Sequence, residues 1–568
     1  MYFDIFIFLS LTILIIVSTL GYGLIFCNKI FLKSRYINLP FKGIFGIFFL
    51  YIISSLTHLV LPHNHIHNSL LLFFGITFFI ISFEKKIIEK KQLKIIFIIF
   101  ICLFNGFLIS KTNEDFPYYH LPNSLQFATH KLEFGLGNLN HGFKHFSSIF
   151  IINSIFYLPY VDIYLFNITN FMLQIFFFSG LVILLKNKDL NNFTKALSSF
   201  ALITFLVKFY RLSEYGADYL GQFLVLLSFI FVTIAFSKKK IKFNEKKELF
   251  LFSKILIFFA ATTKFLYIIY FLIPIIFIYL YKIEDIYKFI LDKNFLIVSI
   301  FSISSIIFFN FTSTGCLIYP VTFTCFTNTI NWSIPEDVVN SLNLHYKTWS
   351  KAGIGAGYGL ENQTEYISGI NWIENWFRKY FFTKVSDFML VVASVLIVFI
   401  LYFKQNFRIQ NKLNFNIKAS KISYLTIIII FFVWFFNFPT LRYAGYTIVF
   451  LTLILPLAIF FAKRINFNDK SIMRKIHILL IVGIFIFNIQ NIKRLNKELN
   501  LTIDEHHNFS NFPFYWVDNV DYEKIFIKNK NFYKVTSKKA CWNVPATCLK
   551  DVTNLKIERK NNYIFYTK

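Results

Sequence analysis

The chain has 568 residues, of which 56% are hydrophobic and only 15% are charged, and this composition excludes an ordinary soluble protein. The formal net charge is +28, but the lysines and arginines are scattered over short connectors between apolar runs, which argues against a nucleic-acid partner. About fourteen apolar runs are long enough to cross a hydrocarbon core of ~30 Å. The sequence therefore predicts an all-α polytopic membrane protein.

The first apolar run starts at the N-terminus with no positive charge before it, whereas basic residues follow Cys27. The positive-inside rule then predicts an uncleaved first span that runs from outside to inside. Further spans are expected near 43–61, 69–83 and 95–110. They place the lysine-rich segment 84–94 in the cytoplasm and the acidic stretch that begins at residue 112 outside.

The next apolar run, at 147–158, is too short to cross a membrane, and Pro159 ends it. We interpret it as a re-entrant or interfacial helix inside a first large external loop, 112–162. The apolar stretch 250–281 is instead too long for one span. Because Thr262, Thr263 and Lys264 interrupt it, we expect a tight hairpin whose tip faces outside, with one long tilted helix as the alternative.

A span at 295–311 opens a second large external loop, 312–384, and the later spans end near residue 490. Basic connectors at 404–421 and 463–475 fit the cytoplasmic side only if 250–281 is a hairpin. The chain is thus expected to consist of a transmembrane domain, 1–491, and a small external tail, 492–568.

Four cysteines form two close pairs in segments that this topology places outside, Cys316 with Cys325 and Cys541 with Cys548. An oxidising compartment would let each pair close as a disulfide. Unrelated reduced cysteines are the alternative, because spacing alone does not establish the geometry that a disulfide needs.

Polar and aromatic residues crowd together at 112–145, directly after an apolar run. Glu114 and Asp115 leave the end of that run, and Tyr119 and His120 follow within five residues. Hydrogen-bonding and acid/base groups thus meet at the membrane surface, at the end of a predicted span. We therefore expect chemistry in this loop.

Several motifs resemble those of GT-C glycosyltransferases, polytopic enzymes that transfer a sugar from a polyprenyl-phosphate carrier outside a membrane. Residues 115–122 resemble the family's D-x-x-x-Y-H-L-P segment, although Asn123 stands where an arginine often follows. The short helix after this segment is a further shared feature. Lys264 at the hairpin tip resembles a Thr-Lys-Gly turn, with Phe265 in place of glycine, and 439–443 is similar to P-x-x-R-Y.

The resemblance implies an enzyme of the bacterial inner membrane with its site facing the periplasm. Its implied partners are a polyprenyl-phosphate-linked sugar, membrane lipids, and a glycan, lipid or protein acceptor. The acidic pair is Glu114-Asp115, whereas mannosyl- and arabinosyl-transferase relatives have Asp-Glu. The sugar and any dependence on a divalent metal ion therefore stay open.

Glycosyl transfer needs a carboxylate that takes the acceptor proton and cations that hold the departing phosphate. Asp115 fits the base, with Glu114 and His120 as further catalytic candidates. The predicted substrate- and phosphate-binding residues, which lie at the outer ends of spans or in the external loop, are Tyr119, Arg211, Lys264, Arg442 and Tyr443. The alternative for Arg211 and Arg442 is a side chain that merely snorkels to the interface.

Two other functions remain open at this level. An O-antigen polymerase or ligase would depend on the late external Arg442 and not on Asp115. A transporter would carry polar residues and broken helices near mid-membrane, whereas the polar groups here cluster at span ends. Trp332, Trp349 and two further tryptophans of loop 312–384 favour sugar stacking and interfacial seating equally.

Overall fold

The computed structural model describes residues 2–30, 36–108, 115–212, 216, 218–238, 241–327, 329–355, 359–410, 413–505, 520–528, 530–536, 540–549, 555–561 and 563–567. These residues are mostly helical, and their α-helices are α1 (Tyr2–Ile30), α2 (Leu39–Thr57), α3 (His65–Glu84), α4 (Lys90–Leu103), α5 (Leu121–Thr129), α6 (Ser148–Ser154), α7 (Ile168–Leu185), α8 (Asn192–Lys208), α9 (Asp218–Ile234), α10 (Phe243–Thr263), α11 (Ile276–Leu280), α12 (Ile283–Ile290), α13 (Lys293–Thr314), α14 (Glu336–Ser350), α15 (Gln363–Ile367), α16 (Ile373–Trp376), α17 (Ser386–Phe403), α18 (Ile417–Asn437), α19 (Tyr446–Arg464) and α20 (Lys470–Glu505).

Other helical turns connect these helices. The 3-10 helices are Phe104–Gly106, Leu136–Asn138, His141–Lys144, Ile163–Leu165, Phe265–Ile275, Thr322–Thr324 and Lys404–Asn406. The π-helical turns are Phe116–His120, Phe377–Val385 and Leu441–Gly445.

Nine helical segments within the described residues are long and apolar enough to cross a membrane, which makes the chain a multi-pass membrane protein. They are Ile5–Ile30, Leu39–Thr57, His65–Glu84, Ile163–Leu185, Lys293–Thr314, Ile373–Asn406, Ile417–Asn437, Leu441–Arg464 and Lys470–Lys497. This is fewer than the predicted fourteen or so. The shortfall arises because α4, α8 and α9 are short and α10 begins with charged residues.

The centre of the bundle consists of α7 to α10, most of whose apolar side chains are buried, as at Phe171 and Phe223. Helices inside a bundle need not match the bilayer thickness, because they are surrounded by protein and not by lipid. Peripheral helices instead expose apolar side chains, for example Phe73 in α3 and Leu401 in α17. An apolar exposed surface is what a lipid environment requires.

The stretch 250–281 forms the predicted hairpin and not one long helix. α10 ends at Thr263, Lys264 is extended, and the chain returns through Phe265–Ile275 and α11. The returning segment packs on α10, where the Phe258 and Phe271 rings are 4.6 Å apart.

The short run after the first external motif is helical only over α6, and every residue of α6 is buried. Asn153 of this helix accepts a hydrogen bond from Thr169 at 2.6 Å, and Ser148 accepts one from Thr262 at 3.0 Å. This short helix is therefore enclosed by protein over its whole length.

The C-terminal tail corrects the all-α prediction, because it contains strands β1 (Tyr522–Ile527), β2 (Lys530–Val535), β3 (Cys548–Leu549), β4 (Lys556–Lys560) and β5 (Tyr563–Thr567). β1 pairs antiparallel and β3 parallel with β2, while β4 and β5 form an antiparallel hairpin. α20 also continues beyond residue 491 to Glu505.

The tail packs onto the segment around Phe134, which precedes α6. Phe134 forms a parallel bridge with Phe565, and its N–H donates to Ile564 O at 2.9 Å. Beside this bridge, the buried Lys530 ammonium lies 2.5 Å from Glu133. This segment and the tail therefore lie on the same side of the helical bundle.

Both disulfides that the cysteine spacing predicts are present. Cys316 is bonded to Cys325, and Cys541 to Cys548. The first closes a turn at the end of α13, and the second closes a turn before β3.

Candidate functional site

The segment that carries Asp115 is a π-helical turn, Phe116–His120, that leads directly into α5. Leu121 N–H donates to Phe116 O, one residue farther back than in an α-helix. Pro122, next in the chain, has no N–H to continue the ladder. Turns of this kind are frequent at functional sites, and here Asp115 is the residue directly before the turn.

Arg442 lies in an irregular connection between α18 and α19, where Ala444 adopts a left-handed conformation with φ 63°. Buried side chains bind the carbonyl groups of this connection. They are Trp376 to Pro439 O at 2.8 Å, Trp434 to Thr440 O at 3.2 Å, Gln222 to Leu441 O at 3.0 Å and Tyr270 to Ala444 O at 2.6 Å. These bonds replace the missing helical ones and fix the direction of Arg442.

Four charged side chains meet at this point, and we name Asp115, Asp218, Lys264 and Arg442 the ion cluster. Arg442 Nη2 donates to Asp115 Oδ2 at 2.5 Å, and its Nε donates to Asp218 Oδ2 at 2.6 Å. Lys264 Nζ donates to Asp218 Oδ1 at 2.5 Å. The planar guanidinium thus bridges two carboxylates, a geometry that lysine cannot reproduce.

The ion cluster is electrically balanced and remains open to a ligand. Two carboxylates face two cations, and the side chains are 20% to 38% exposed. Within the described residues, Asp115 Oδ1 and Arg442 Nη1 make no hydrogen bond. The cluster therefore offers one acceptor oxygen and one donor nitrogen to an incoming molecule.

Aromatic rings wall the ion cluster. Lys264 Nζ lies 4.6 Å from the centre of the Tyr443 ring, and Arg442 lies 5.9 Å from that of Trp349. Tyr267 donates its hydroxyl hydrogen to Asp218 O at 2.9 Å. Trp349 belongs to α14, so the chain segments that follow α4 and α13 meet at the cluster.

His120 and Tyr119 lie directly behind Asp115. The His120 ring contacts the rings of Tyr119 at 4.3 Å and Phe150 at 5.3 Å. A Cβ on Gly216 would lie 2.9 Å from His120 Cε1, so this close approach requires glycine. Burial lowers the pKa of His120 to about 4, although Asp115 acts in the opposite direction, and it raises the pKa of the Tyr119 phenol. Both groups are neutral near pH 7.

A second polar group adjoins the first. Tyr346 Oη lies 2.7 Å from His145 Nε2 and 3.2 Å from His141 Nε2, and the His145 ring is 5.6 Å from that of Tyr119. Burial lowers the pKa of His145 to about 3 and that of His141 to about 4. This wall is neutral and rich in hydrogen-bonding groups, in contrast to the ion cluster.

The structure brings together most of the residues that the sequence predicted for the site. Asp115, Lys264, Arg442 and Tyr443 are in direct contact, and Tyr119 and His120 lie behind them. Glu114 lies outside the described residues.

Arg211 does not belong to the ion cluster. Its guanidinium lies over the Tyr210 ring at 5.5 Å, and the next residue, Leu212, donates its N–H to Gly106 O at 2.9 Å. Of the four tryptophans in loop 312–384, only Trp349 contacts the cluster. Trp372 and Trp376 are buried, and Trp332 packs on Phe565 of the tail.

Sequence reasoning missed Asp218, the residue that joins Lys264 to Arg442. The available signal was an acid at the first position of an apolar helix, directly after a short external element. It also missed Gln222, one turn later, which holds the Arg442 connection by its side-chain amide.

The described residues do not fit a divalent metal ion at this position. They contain no cluster of three or more His, Cys, Asp or Glu side chains that could hold one. Asp115 and Asp218, the two carboxylates present, are already paired with Arg442 and Lys264. A metal ion would have to displace these cations.

Comparison with protein families gives one match, to the model described as domain of unknown function DUF8201, over residues 5–451. Neither the curated proteins nor the solved structures contain a match to the chain. The matched region includes all four residues of the ion cluster and ends before the tail. Because the match covers most of the chain, this protein belongs to the DUF8201 family.

Proposed function

We propose that the chain is a membrane glycosyltransferase that moves a sugar from a polyprenyl-phosphate carrier to a glycan, lipid or protein acceptor outside the bacterial inner membrane. The observation that supports this proposal best is the contact of Asp115 with Arg442, two residues 327 positions apart in the sequence. A candidate base and a candidate phosphate ligand thus share one partly exposed site.

The proposed reaction uses the two ends of the site differently. Asp115 Oδ1 takes the proton of the acceptor hydroxyl as that oxygen attacks the anomeric carbon. The bond from the anomeric carbon to the phosphate oxygen breaks, and the lipid phosphate leaves with the electron pair. Arg442 and Lys264 bind this phosphate both in the bound donor and after the bond has broken. Attack opposite the leaving group inverts the anomeric centre.

The experiment uses the full-length protein in proteoliposomes with radiolabelled polyprenyl-phosphate hexoses and pentoses, and bacterial envelope glycans and lipids as acceptors. We expect at least one donor to lose its label to an acceptor. Asp115→Asn keeps the side-chain shape, so the thermal unfolding temperature should stay unchanged while the transfer rate falls by about 10² to 10⁴. Asp387→Asn, at an exposed carboxylate in the first turn of α17, is the matched control and should retain the rate.

The polymerase or ligase alternative predicts a different pattern. In that case Arg442→Ala abolishes activity, whereas Asp115→Asn retains it in full. This result, or the absence of transfer from every donor by folded protein, would contradict the proposed function.

A further inference from the structure

Trp542 of the tail contacts the turn that carries Asp115. Its backbone N–H donates to Pro117 O at 3.0 Å, and its ring meets the Phe116 ring edge-on at 5.9 Å. The ring is buried in a small apolar cluster with Phe116, Leu121 and Phe166. The contact lies two residues from Asp115 in the sequence.

The sequence of the turn explains why Pro117 accepts a hydrogen bond from outside. In the π-helical turn, Leu121 N–H is taken by Phe116 O. The next residue that could reach Pro117 O is Pro122, which has no N–H. Pro117 O is therefore left without a helical donor, and Trp542 supplies the one that a buried carbonyl requires.

The backbone of Trp542 is itself held in an uncommon conformation. Its φ is 48°, in the left-handed region that bulky side chains avoid and that persists only where surrounding structure imposes it. Two bonds impose it here. The Cys541–Cys548 disulfide closes the turn, and Val544 N–H donates to Cys541 O at 3.0 Å.

The same turn is tied to the loop by a second contact. Asn140 Nδ2 donates to Cys541 Sγ at 3.4 Å, while Asn140 Oδ1 accepts from Gly142 N at 3.0 Å. Gly142 O in turn accepts from Asn123 Nδ2, which follows the Asp115 motif. Both sides of the motif are thus held by contacts that lead to the disulfide-closed turn.

We propose that Trp542 is a positioning residue for Asp115, and that the Cys541–Cys548 disulfide holds Trp542 in the conformation that this role needs. Trp542 touches no reacting atom. It fixes the Phe116–His120 turn, so that Asp115 stays in contact with Arg442 and points Oδ1 toward the acceptor. This proposal rests on the proposed function, in which Asp115 is the base.

The first test needs no substrate. Hydrogen exchange of the amides at 116–125 is measured by mass spectrometry in full-length protein that carries Trp542→Ala, with Tyr522→Ala, an exposed position of β1, as the control. Exchange should rise in the first variant and stay at the wild-type level in the second. Unchanged exchange in Trp542→Ala overturns the proposal, whether or not the transfer assay finds an active sugar donor.

The second test separates positioning from stability. In the transfer assay, Trp542→Ala should lower kcat by about 10- to 100-fold, the cost of a base misplaced by about 1 Å, with little change in the donor KM. Trp542→Phe, which differs from Trp542→Ala by keeping an aromatic ring against Phe116, should restore most of the rate. In an Asp115→Asn background, Trp542→Ala should cost less than about twofold, because the two residues act on one step.

The disulfide provides a variant that leaves Trp542 in place. The double variant Cys541→Ser/Cys548→Ser should reproduce the kcat loss and the faster exchange. The double variant Cys316→Ser/Cys325→Ser removes the other disulfide as the matched control, and it should not change the exchange at 116–125. An equal loss of rate from Trp542→Ala with and without Asp115 would overturn the positioning role. General unfolding would instead raise hydrogen exchange throughout the chain. If the variants lose activity with such a general rise, the positioning proposal is also overturned.

Discussion

Arg442 is central to the ion cluster, because among its four described members it alone pairs with both carboxylates. Arg442→Ala should raise the donor KM by roughly 10- to 100-fold, as expected for the loss of a charge-assisted hydrogen bond of about 1.5–3 kcal/mol. The turnover number should change less, because proton transfer to Asp115 is not directly removed. Steady-state kinetics with varied donor concentration measures both.

Two further variants sharpen this prediction. Arg442→Lys keeps the charge but cannot span Asp115 and Asp218 with one planar group, so its KM should lie between those of wild type and Arg442→Ala. Arg378→Ala removes an exposed arginine paired with Glu374 one turn away, and it should leave KM unchanged. A fall in kcat at constant KM in Arg442→Ala would contradict the phosphate-binding role.

The sequence was informative about the site where a short motif carried the chemistry. Asp115, Lys264 and Arg442 were predicted from local patterns at span ends, and the structure joins them. Asp218 was missed because its importance lies in its distance to Lys264 and Arg442, a tertiary property. Arg211, like Arg442, lies at the end of a predicted span, but it is not part of the ion cluster. A local sequence pattern does not show which of two such arginines reaches the site.

At the scale of elements, the connection between α18 and α19 depends on Gln222 of α9. This buried amide donates to Leu441 O at 3.0 Å and accepts from Thr447 N at 2.9 Å. Gln222→Leu leaves both backbone groups unsatisfied, at roughly 1–3 kcal/mol each. We expect a clear decrease in the thermal unfolding temperature in detergent and a raised donor KM from the displaced Arg442.

Gln405→Leu, at an exposed position beyond α17, is the control for Gln222→Leu and should leave both quantities unchanged. A Gln222→Leu protein with the unfolding temperature and KM of wild type would mean that the connection is held by its other contacts. Those contacts come from Trp376, Trp434 and Tyr270.

The elements themselves were predicted unevenly. The hairpin at 250–281 was predictable because polar Thr262, Thr263 and Lys264 interrupt an apolar run. In addition, the basic loops that follow favour two membrane crossings in this stretch over one. The span count was too high because hydropathy locates an apolar run but does not give the length of the helix that it forms, and α8 and α9 have only 17 residues each. The strands of the tail were missed because short strands carry a weaker periodic signal than spans do.

The whole molecule contains buried neutral histidines that should make its stability depend on pH. Burial lowers the pKa of His120 and His141 to about 4 and that of His145 to about 3 in the folded protein, against about 6.5 when unfolded. Between these values the unfolded chain binds more protons. Stability should therefore be full above pH 6.5 and decrease as the pH falls toward 4.

Thermal unfolding of detergent-solubilised protein from pH 7.5 to 4 measures this decrease. His145→Gln should flatten part of the profile, because glutamine does not titrate in this range. Gln405→Leu, at an exposed position beyond α17 with no titratable side chain, is the control and should leave the profile unchanged. An unfolding temperature that stays constant down to pH 4.5 would contradict the prediction.

Membrane orientation is testable for the molecule as a whole. Charge bias predicts that 84–94 faces the cytoplasm while the first external loop and the tail face outside. Reporter fusions at Leu136 and Lys530 should therefore both indicate the outer side of the membrane, and a fusion at Lys90 should indicate the cytoplasmic side. Contacts between the loop and the tail, such as Lys530 with Glu133, require the first two to agree, so a difference between them would contradict the structure as well as the topology.

Glu133 and Tyr566, which hydrogen-bond at 2.9 Å, are 433 positions apart. A ribosome that adds 5–20 residues per second needs roughly 20 to 90 s to make the intervening chain. Throughout that time the chain around Glu133 has neither β5 to pair with Phe134 nor Lys530 beside Glu133. These contacts therefore form only after α20 has been made, and a chain truncated before residue 530 would retain α20 yet would lack both partners.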